Sequence, residues 1–238
     1  MFRAAQRRLQ ILRRFRMPEV QLHGFTWQND FMRNVYGVTE EEITQIPYTA
    51  ETDLPAAYNR LGNVPVSFKA SCSLNTVCMG DCLRVFDSVN TESPLHATVI
   101  HYEQDDVRKV KKLKHVTEVN LTNSREILFG SLTREEIERL DKLVKTVPQK
   151  RKPTAEEHAA LYALQAELQA KSGAIYMNIK CDSQQSRLQC SFNKFQKFLL
   201  AYPDRIVAQS DTCEFRGHRV MEELASGRRQ FRRRAADA

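Results

Sequence analysis

The chain has 238 residues, of which 42% are hydrophobic and 27% charged, with a formal net charge of +7. Its eight glycines and eight prolines are too few for a fibrous or low-complexity protein, and its length is sufficient to bury a hydrophobic core. No apolar run approaches the roughly 20 residues that a membrane-spanning helix requires. The composition therefore indicates a globular protein without a transmembrane segment.

The positive charge is concentrated at the two ends of the sequence. Residues 1–16 contain six arginines and no acidic residue, and residues 227–238 contain five arginines and one aspartate. The remaining 25 basic and 28 acidic residues give residues 17–226 a net charge of −3. A protein that binds nucleic acid with its folded surface carries excess positive charge on that surface. We therefore expect the ends, rather than the body, to contact a polyanion.

Residues 1–16 have the pattern of an amphipathic helix. Placed on a helix, apolar residues such as Phe2 and Leu9 lie on one face, and arginines such as Arg7 and Arg14 lie on another. An amphipathic, arginine-rich segment without acidic residues is typical of a mitochondrial transit peptide. The alternatives are a solvated basic tail and a helix lying on an anionic membrane surface. The segment is thus predicted to be a presequence or a binding arm.

Residues 17–70 are predicted to be irregular and extended, because proline and glycine recur there at short intervals. One short helix is expected at 39–46, with Thr39 as its N-cap and Glu42 completing a capping box. The aromatic residues of this segment are predicted to pack on the protein's own core; they are Phe25, Trp27, Phe31 and Tyr36.

A β-rich region is expected from residue 66 to 122, where apolar and polar residues alternate. The stretch 105–115 is harder to assign. Read as a helix, it sets Val107, Val110 and Leu113 on a narrow apolar stripe beneath a basic face. That face is either a solvated surface or a polyanion-binding patch.

The next segment predicts two helices joined by a short basic loop. Thr133 is followed three residues later by Glu136, and Thr154 by Glu157, the spacing of a capping box at each helix start. Gly173 is the predicted stop of the second helix. The loop between the helices carries three basic residues: Lys150, Arg151 and Lys152.

Strict alternation predicts a strand over 174–181, which could pair with 187–190 as a hairpin. A helix over 191–200 is predicted to bury a phenylalanine stripe in the core, and a last helix is expected near 218–225. The predicted fold is α+β and helix-dominated, with a capped helical hairpin at about 133–172 and short antiparallel strands. Its predicted divisions are a presequence or arm (1–16), an irregular segment (17–70), a globular body (71–226) and an arginine-rich tail (227–238).

Six cysteines raise the question of a metal site. Structural zinc usually requires ligand pairs two to four residues apart, and among the cysteines the pair Cys78 and Cys82 has such a spacing. The preferred interpretation is free thiols in a reducing compartment. No phosphate-binding loop, dinucleotide fingerprint, metalloprotease motif or nucleophile elbow is present in the sequence. No cofactor and no catalytic residues are predicted.

These features favour a non-catalytic structural component of a mitochondrial ribonucleoprotein, specifically a ribosomal protein of the matrix. Its basic ends would contact rRNA and its body would pack on neighbouring protein subunits. The alternatives are a soluble accessory subunit of an inner-membrane respiratory or ATP synthase complex, and a matrix enzyme or assembly factor of unknown chemistry. The predicted RNA contacts are Arg228, Arg229, Arg232, Arg233, Arg234, Lys150, Arg151 and Lys152.

Overall fold

A computed structural model describes residues 19–47, 50–149, 151–181 and 185–226. Over these residues the chain forms seven α-helices and ten strands. The helices are α1 (Glu19–Asn34), α2 (Glu40–Gln45), α3 (Cys82–Val89), α4 (Arg125–Phe129), α5 (Arg134–Thr146), α6 (Ala155–Gln169) and α7 (Phe195–Ala201). The strands are β1 (Val66–Ser71), β2 (Val77–Asp81), β3 (His96–Asp105), β4 (Val110–Asn120), β5 (Ile175–Cys181), β6 (Ser186–Phe192), β7 (Ile206–Ser210), β8 (Glu214–Phe215), β9 (His218–Arg219) and β10 (Glu223–Ala225).

The prediction of a helix-dominated fold with short strands is wrong. The fold is α+β, about 36% helical and 30% strand. Strands β3 and β4 are 10 and 11 residues long, and they lie next to each other in a five-stranded sheet. That sheet has the order β1-β3-β4-β10, and β7 also pairs with β4. Much of the strand content therefore lies in two long strands, whose length the sequence pattern did not predict.

The described chain divides into two compact units, each built from separated stretches of sequence. The described residues up to 72, residues 100–116 and the described residues from 208 onward form the first unit. Residues 73–99 and 117–207 form the second unit. The chain therefore passes from one unit to the other between β1 and β2 and again within β3, β4 and β7. The predicted divisions at residues 16, 70 and 226 stay predictions.

The first unit is built around the aromatic face of α1. Trp27, Phe31 and Tyr36 are 0%, 0% and 1% exposed, so the prediction of core packing is confirmed for these three residues, whereas Phe25 is half-buried. Phe31 packs against Phe68 of β1 and Phe215 of β8, with ring centroids 6.2 and 5.8 Å apart. Helix α1 also corrects the prediction for 17–70, which was expected to be irregular except for a short helix at 39–46. Apolar residues at helical spacing stabilise α1 against the core despite a glycine in its middle.

The second unit places helices on a three-stranded antiparallel sheet. The sheet has the order β2-β6-β5, and the predicted pairing of 174–181 with 187–190 is confirmed by a register that sets Met177 opposite Cys190 and Ile179 opposite Leu188. The predicted phenylalanine stripe is also buried, although Phe192 belongs to β6 and α7 begins at Phe195.

Helices α5 and α6 form the predicted capped hairpin. In both capping boxes the threonine side chain accepts from the backbone N–H three residues on, and the glutamate accepts from the threonine N–H. Gly173, however, is not the residue that ends α6, which ends at Gln169. It is required by a close approach instead, because a Cβ at Gly173 would lie 2.2 Å from the carbonyl oxygen of Ile127.

Two segments are extended: 105–115, which the sequence left unassigned with a helix as one interpretation, and 218–225, which was expected to be a helix. Residues 105–115 contain the turn between β3 and β4 rather than a helix. The Asp105 Oδ1 atom accepts from the N–H groups of Val107 and Arg108, each at 2.9 Å, and Lys109 has a φ of 54°. The chain reverses at this turn, so Val107, Val110 and Leu113 do not lie on one face of a helix. Residues 218–225 likewise form β9 and β10 instead of a helix.

Candidate nucleic-acid interface

The structure describes only part of the predicted RNA-contacting set. The five tail arginines and Lys150 lie outside the described residues, as does the predicted arm 1–16. Arg151 and Lys152 are described, and both are exposed at the start of the segment that leads into α6. Arg151 and Lys152 are therefore the members of the predicted RNA-contacting set that belong to the described body, and further basic residues lie on the β3–β4 hairpin.

Arg151 is engaged with an acidic partner. Its Nη1 and Nη2 atoms donate to the two carboxylate oxygens of Glu157, each at 2.6 Å. Glu157 also accepts from the Thr154 N–H at 2.8 Å in the capping box of α6. The Arg151 guanidinium, followed by the Thr154 N–H, lowers the pKa of Glu157 from 4.5 to about 2. The positive charge of Arg151 is thus balanced at neutral pH, which weakens its attraction for phosphate.

Three of the five basic residues of the β3–β4 hairpin are paired with acids in the same way. Arg108 makes a two-pronged contact with Glu223, at 3.1 and 2.9 Å. The Nζ atoms of two lysines lie close to glutamate carboxylates of the same unit, Lys112 3.2 Å from Glu222 and Lys114 3.0 Å from Glu103. A fourth cation, Lys111, is 1% exposed, and its Nζ lies 5.7 Å from the Tyr102 ring centroid. Most of the positive charge of the hairpin is therefore paired or buried, and Lys109 is exposed at its turn.

The arginine-rich tail is attached to the first unit through β10. This strand pairs with β4 so that Glu223 lies opposite Lys112 and Ala225 opposite Val110. The next residue, Ser226, donates its N–H to the carbonyl oxygen of Lys109 at 2.6 Å. The last described residue before the tail is therefore held against the turn of the β3–β4 hairpin.

Helix α1 holds the segment just before β10 by two side-chain hydrogen bonds to one residue. The indole Nε1 of Trp27 donates to the carbonyl oxygen of Met221 at 3.1 Å, and the Met221 N–H donates to Asp30 Oδ2 at 2.7 Å. The second Asp30 oxygen accepts from Asn34 at 2.9 Å. We call these contacts of Trp27 and Asp30 with Met221 the α1 clamp. Both backbone groups of Met221 are satisfied by α1, so this segment is fixed to the helix.

The clamp is buried, and its burial changes the acidity of Asp30. Asp30 is 5% exposed, and Trp27 packs against Tyr102 with ring centroids 5.2 Å apart. Burial raises the pKa of Asp30 above 3.8, while the hydrogen bond from Met221 opposes that shift. Sequence analysis placed Trp27 in the core but missed Asp30, because no local pattern connects it with a residue 191 positions away.

The cysteines are arranged differently from a zinc site. Cys78 is exposed on β2, whereas Cys82 is fully buried at the first position of α3. Across residues 19–47, 50–149, 151–181 and 185–226, no cluster of three or more His, Cys, Asp or Glu side chains is arranged to hold a metal ion. Two thiols in such different environments do not converge on one ion.

Helix α6 presents an apolar surface on both of its sides. Leu161, Leu164 and Leu168 pack in the core of the second unit. The opposite side is exposed and carries neither a cation nor an acid along its centre. This outer face, which we call the alanine face, consists of Ala155, Ala159, Tyr162, Ala163 and Ala166.

Within the part of the chain that the structure describes, no helix is both long enough and apolar enough to cross a membrane. The chain matches no protein-family model, and no curated protein or solved structure is similar to it at a significant level.

Proposed function

We propose that this chain is a non-catalytic structural component of a mitochondrial ribonucleoprotein, specifically a ribosomal protein that contacts rRNA through its basic end segments. The observation that carries the proposal is the separation of charge. The ends hold eleven arginines and one acidic residue, while residues 17–226 carry −3. In the described body, Arg108 is paired with Glu223 and Arg151 with Glu157.

Such a distribution suits an RNA-packing protein because phosphate contacts depend on available cations. Each phosphate that is neutralised releases a counterion, and this release supplies affinity that falls with added salt. Phosphate contacts position a protein on RNA without reading its sequence, which is the task of a structural component. Arginines without acidic neighbours in sequence are better placed for this task than cations already bound to carboxylates.

The alanine face supports the second half of the proposal, that the body packs on protein neighbours. The centres of protein–protein interfaces are depleted of charged residues and enriched in aromatic ones, and this face is uncharged along its centre and carries Tyr162. Its outer face has no cation for phosphate and is flanked by Glu156 and Glu167, which would repel a polyanion. A neighbouring protein subunit therefore fits this surface better than RNA does.

The location follows from the pattern of residues 1–16. An amphipathic segment with six arginines and no acid is typical of import into mitochondria. The proposal places the chain in the matrix, where reduced cysteine thiols are also expected.

The test is sedimentation of mitochondrial lysate on a gradient with and without RNase, following this chain. Co-migration with a ribosome-sized peak that disappears after RNase supports the proposal. A heavy peak that resists RNase but disappears in detergent would instead indicate an accessory subunit of an inner-membrane complex. Migration near 27.5 kDa would contradict both assembly functions.

A charge variant makes the same test specific to the tail. Replacing Arg228, Arg229, Arg232, Arg233 and Arg234 with Gln should loosen association with the particle without changing the melting temperature of the body. The matched control replaces the same five residues with Lys, which keeps the charge, and should retain association. Equal association of the Gln and Lys variants would contradict the role of the tail.

A further inference from the structure

We propose that the second unit binds single-stranded RNA on the open face of its three-stranded sheet. This inference rests on the proposed function and adds a contact in the folded body to those predicted for the ends. Strands β5 and β6 turn one set of side chains toward the core, including Met177, Leu188 and Cys190. Because side chains alternate along a strand, the residues between them lie on the opposite face. This open sheet face consists of Tyr176, Asn178, Lys180, Arg187, Gln189 and Ser191.

The helices of the second unit lie on the other side of this sheet. Leu140 of α5, Leu164 of α6 and Phe198 of α7 share one core with the inward side chains of β5 and β6. Antiparallel sheets commonly keep one face in the core and the other in contact with water. Lys180 and Arg187 are accordingly exposed, so a ligand can reach the open sheet face.

Two cations lie directly opposite each other on this face. The register pairs Lys180 of β5 with Arg187 of β6, and like charges in such a pair repel each other. Among the described residues neither cation forms an ion pair. The acid in the neighbouring register is Asp81 of β2, whose side chain instead accepts from the Arg84 N–H at the start of α3. A phosphate group placed between the two cations would relieve their repulsion through charge-assisted hydrogen bonds.

Buried polar side chains hold the rest of the face in one arrangement. Ser191 is 3% exposed, and its Oγ accepts from Asn178 Nδ2 and donates to Asn193 Oδ1, each at 2.8 Å. Gln189 is 8% exposed, and in the amide orientation that satisfies both of its polar atoms its oxygen accepts from Arg187 Nη2 at 2.7 Å. This bond directs the guanidinium and leaves further N–H groups for a ligand. Arg187 is thus positioned before RNA binds, which lowers the entropy lost on binding.

The remaining side chains of the face favour RNA over an acidic peptide. Tyr176 lies four residues before Lys180 on the same strand, or about 13 Å away. Its ring is half-buried and lies opposite Ser191. Unpaired bases stack on aromatic rings and form hydrogen bonds with amide and hydroxyl groups. An acidic peptide would use only the two cations, whereas RNA uses the cations, the ring and the amides.

The end of the hairpin that carries the two cations is fixed beside the basic loop between α5 and α6. Ser186, which precedes Arg187, donates its Oγ to the carbonyl oxygen of Val147 at 2.6 Å. Lys152 follows Val147 by five residues, so its backbone lies within about 18 Å of that carbonyl. Lys152 is exposed and forms no ion pair with the described residues. The RNA contact predicted at Lys152 therefore belongs to the same end of the second unit as the two sheet cations.

The experiment uses the full chain and a fluorescent oligouridine of about 10 nucleotides, within the range of a small single-strand site. Fluorescence anisotropy measures binding at several salt concentrations. The main variant replaces Lys180 and Arg187 with Gln. The charge-preserving control combines Lys180→Arg with Arg187→Lys, and the positional control replaces Arg139 and Lys142, two exposed cations of α5, with Gln. Circular dichroism and Tm verify that each variant is folded.

We expect the main variant to bind at least about fivefold more weakly than the unchanged chain. The magnitude of its slope of log affinity against log salt should fall by up to about 1.4, which is about 0.7 for each of two phosphates. Both controls should stay within about threefold of the unchanged chain.

The aromatic ring provides a readout that charge alone does not move. Tyr176→Ala should weaken binding by roughly 5–150-fold, the effect of losing one stacked base, whereas Tyr176→Phe keeps the ring and should bind like the unchanged chain. Ultraviolet cross-linking of the unchanged complex locates the RNA directly, and a uridine adduct should lie on the peptide that contains Tyr176.

The outcomes separate this inference from the proposed function. A main variant that binds like the α5 control, or cross-links confined to the two ends, would overturn RNA binding by the sheet face and leave the ends as the RNA contact. Binding of oligoglutamate of equal charge as tightly as oligouridine would overturn RNA as the ligand and indicate an acidic protein segment instead. Absence of oligouridine binding by the unchanged chain would also overturn the inference, whereas the proposed function is contradicted only if the chain fails to sediment with an RNase-sensitive particle.

Discussion

Gly173 lies where two backbone segments of the second unit meet, and replacing it with alanine is predicted to destabilise that unit. The added Cβ would lie 2.2 Å from the carbonyl oxygen and 2.9 Å from the carbonyl carbon of Ile127. The same oxygen accepts from the Ala174 N–H at 2.9 Å, so it is fixed in place. The neighbouring backbone cannot relax easily either, because Leu128 is 0% exposed.

The size of the effect follows from these distances. Van der Waals contact requires the two segments to separate by about 1 Å, which disrupts the Ala174–Ile127 hydrogen bond, worth about 0.5–1.5 kcal/mol net. Displacing the buried residues of α4 adds about 1–3 kcal/mol, as overpacking does elsewhere. The sum is about 2–4 kcal/mol, and at about 2–4 °C per kcal/mol the Tm of Gly173→Ala should fall by roughly 5–15 °C.

Thermal unfolding followed by circular dichroism and calorimetry measures this change. Gly62→Ala is the matched control, because no atom lies within 4 Å of its added Cβ and its Tm should stay close to that of the unchanged protein. Gly217→Ala separates backbone strain from crowding, since Gly217 has a φ of 77° but open space around it. A Tm for Gly173→Ala that matches that of Gly62→Ala would refute the steric argument.

Three further predictions concern charge and the outer surface. Arg151→Ala should raise the pKa of Glu157 from about 2 toward 4.5 in an NMR titration. Because the pKa of Glu157 is lowered in the folded chain, its pairing with Arg151 stabilises the fold above pH 4.5, and this stabilisation is lost as the pH falls toward 2. An unchanged pKa of Glu157 in the variant would contradict the pairing. Because the pKa of Asp30 is raised in the folded chain, ionisation of Asp30 opposes folding as the pH rises. Asp30→Asn still accepts from the Met221 N–H, and its stability relative to the unchanged chain should increase from pH 3 to pH 7. A Tm difference between the two proteins that is independent of pH would contradict this reasoning. Ala163→Arg, on the alanine face, should change stability by less than about 0.5 kcal/mol yet reduce co-sedimentation with the particle, whereas full co-sedimentation would argue against a protein neighbour there.

Local chemistry explains which elements could be predicted. The capping boxes of Thr39, Thr133 and Thr154 all formed, because a threonine and a glutamate three residues later satisfy each other's backbone donors without help from the rest of the fold. Strand β5 was predictable for a similar reason: its alternating side chains match a sheet with one buried face.

The β3–β4 hairpin shows why other elements were not predictable. The decisive features are the Asp105 side chain bonded to two N–H groups and the positive φ of Lys109, and neither changes the pattern of apolar residues. In addition, the lysines between the apolar positions suggested a solvated helix face, yet Lys111 is buried on a strand. Strand prediction assumes that apolar side chains face the core and polar ones face solvent, and a buried lysine breaks that alternation.

The expected polyanion contact of the ends rests on the count of arginines and acids alone, and it stays a prediction because both ends lie outside the described residues. The ion pairs of Arg108 with Glu223 and of Lys114 with Glu103 depend on strand pairing, which sequence spacing does not reveal. The α1 clamp is the extreme case, since its hydrogen bonds join residues 191 and 194 positions apart.

The division of the chain into interleaved stretches determines an order of folding during synthesis. The second unit needs nothing beyond residue 207, whereas the first unit needs β8, β9 and β10 to close around α1. The rings of Phe68 and Tyr102, which cover Phe31 and Trp27, are made early, whereas Phe215 and Met221 are made near the end of synthesis. A chain that stops before residue 215 would therefore lack the Phe215 ring that packs on Phe31 and the Met221 carbonyl oxygen that accepts from Trp27.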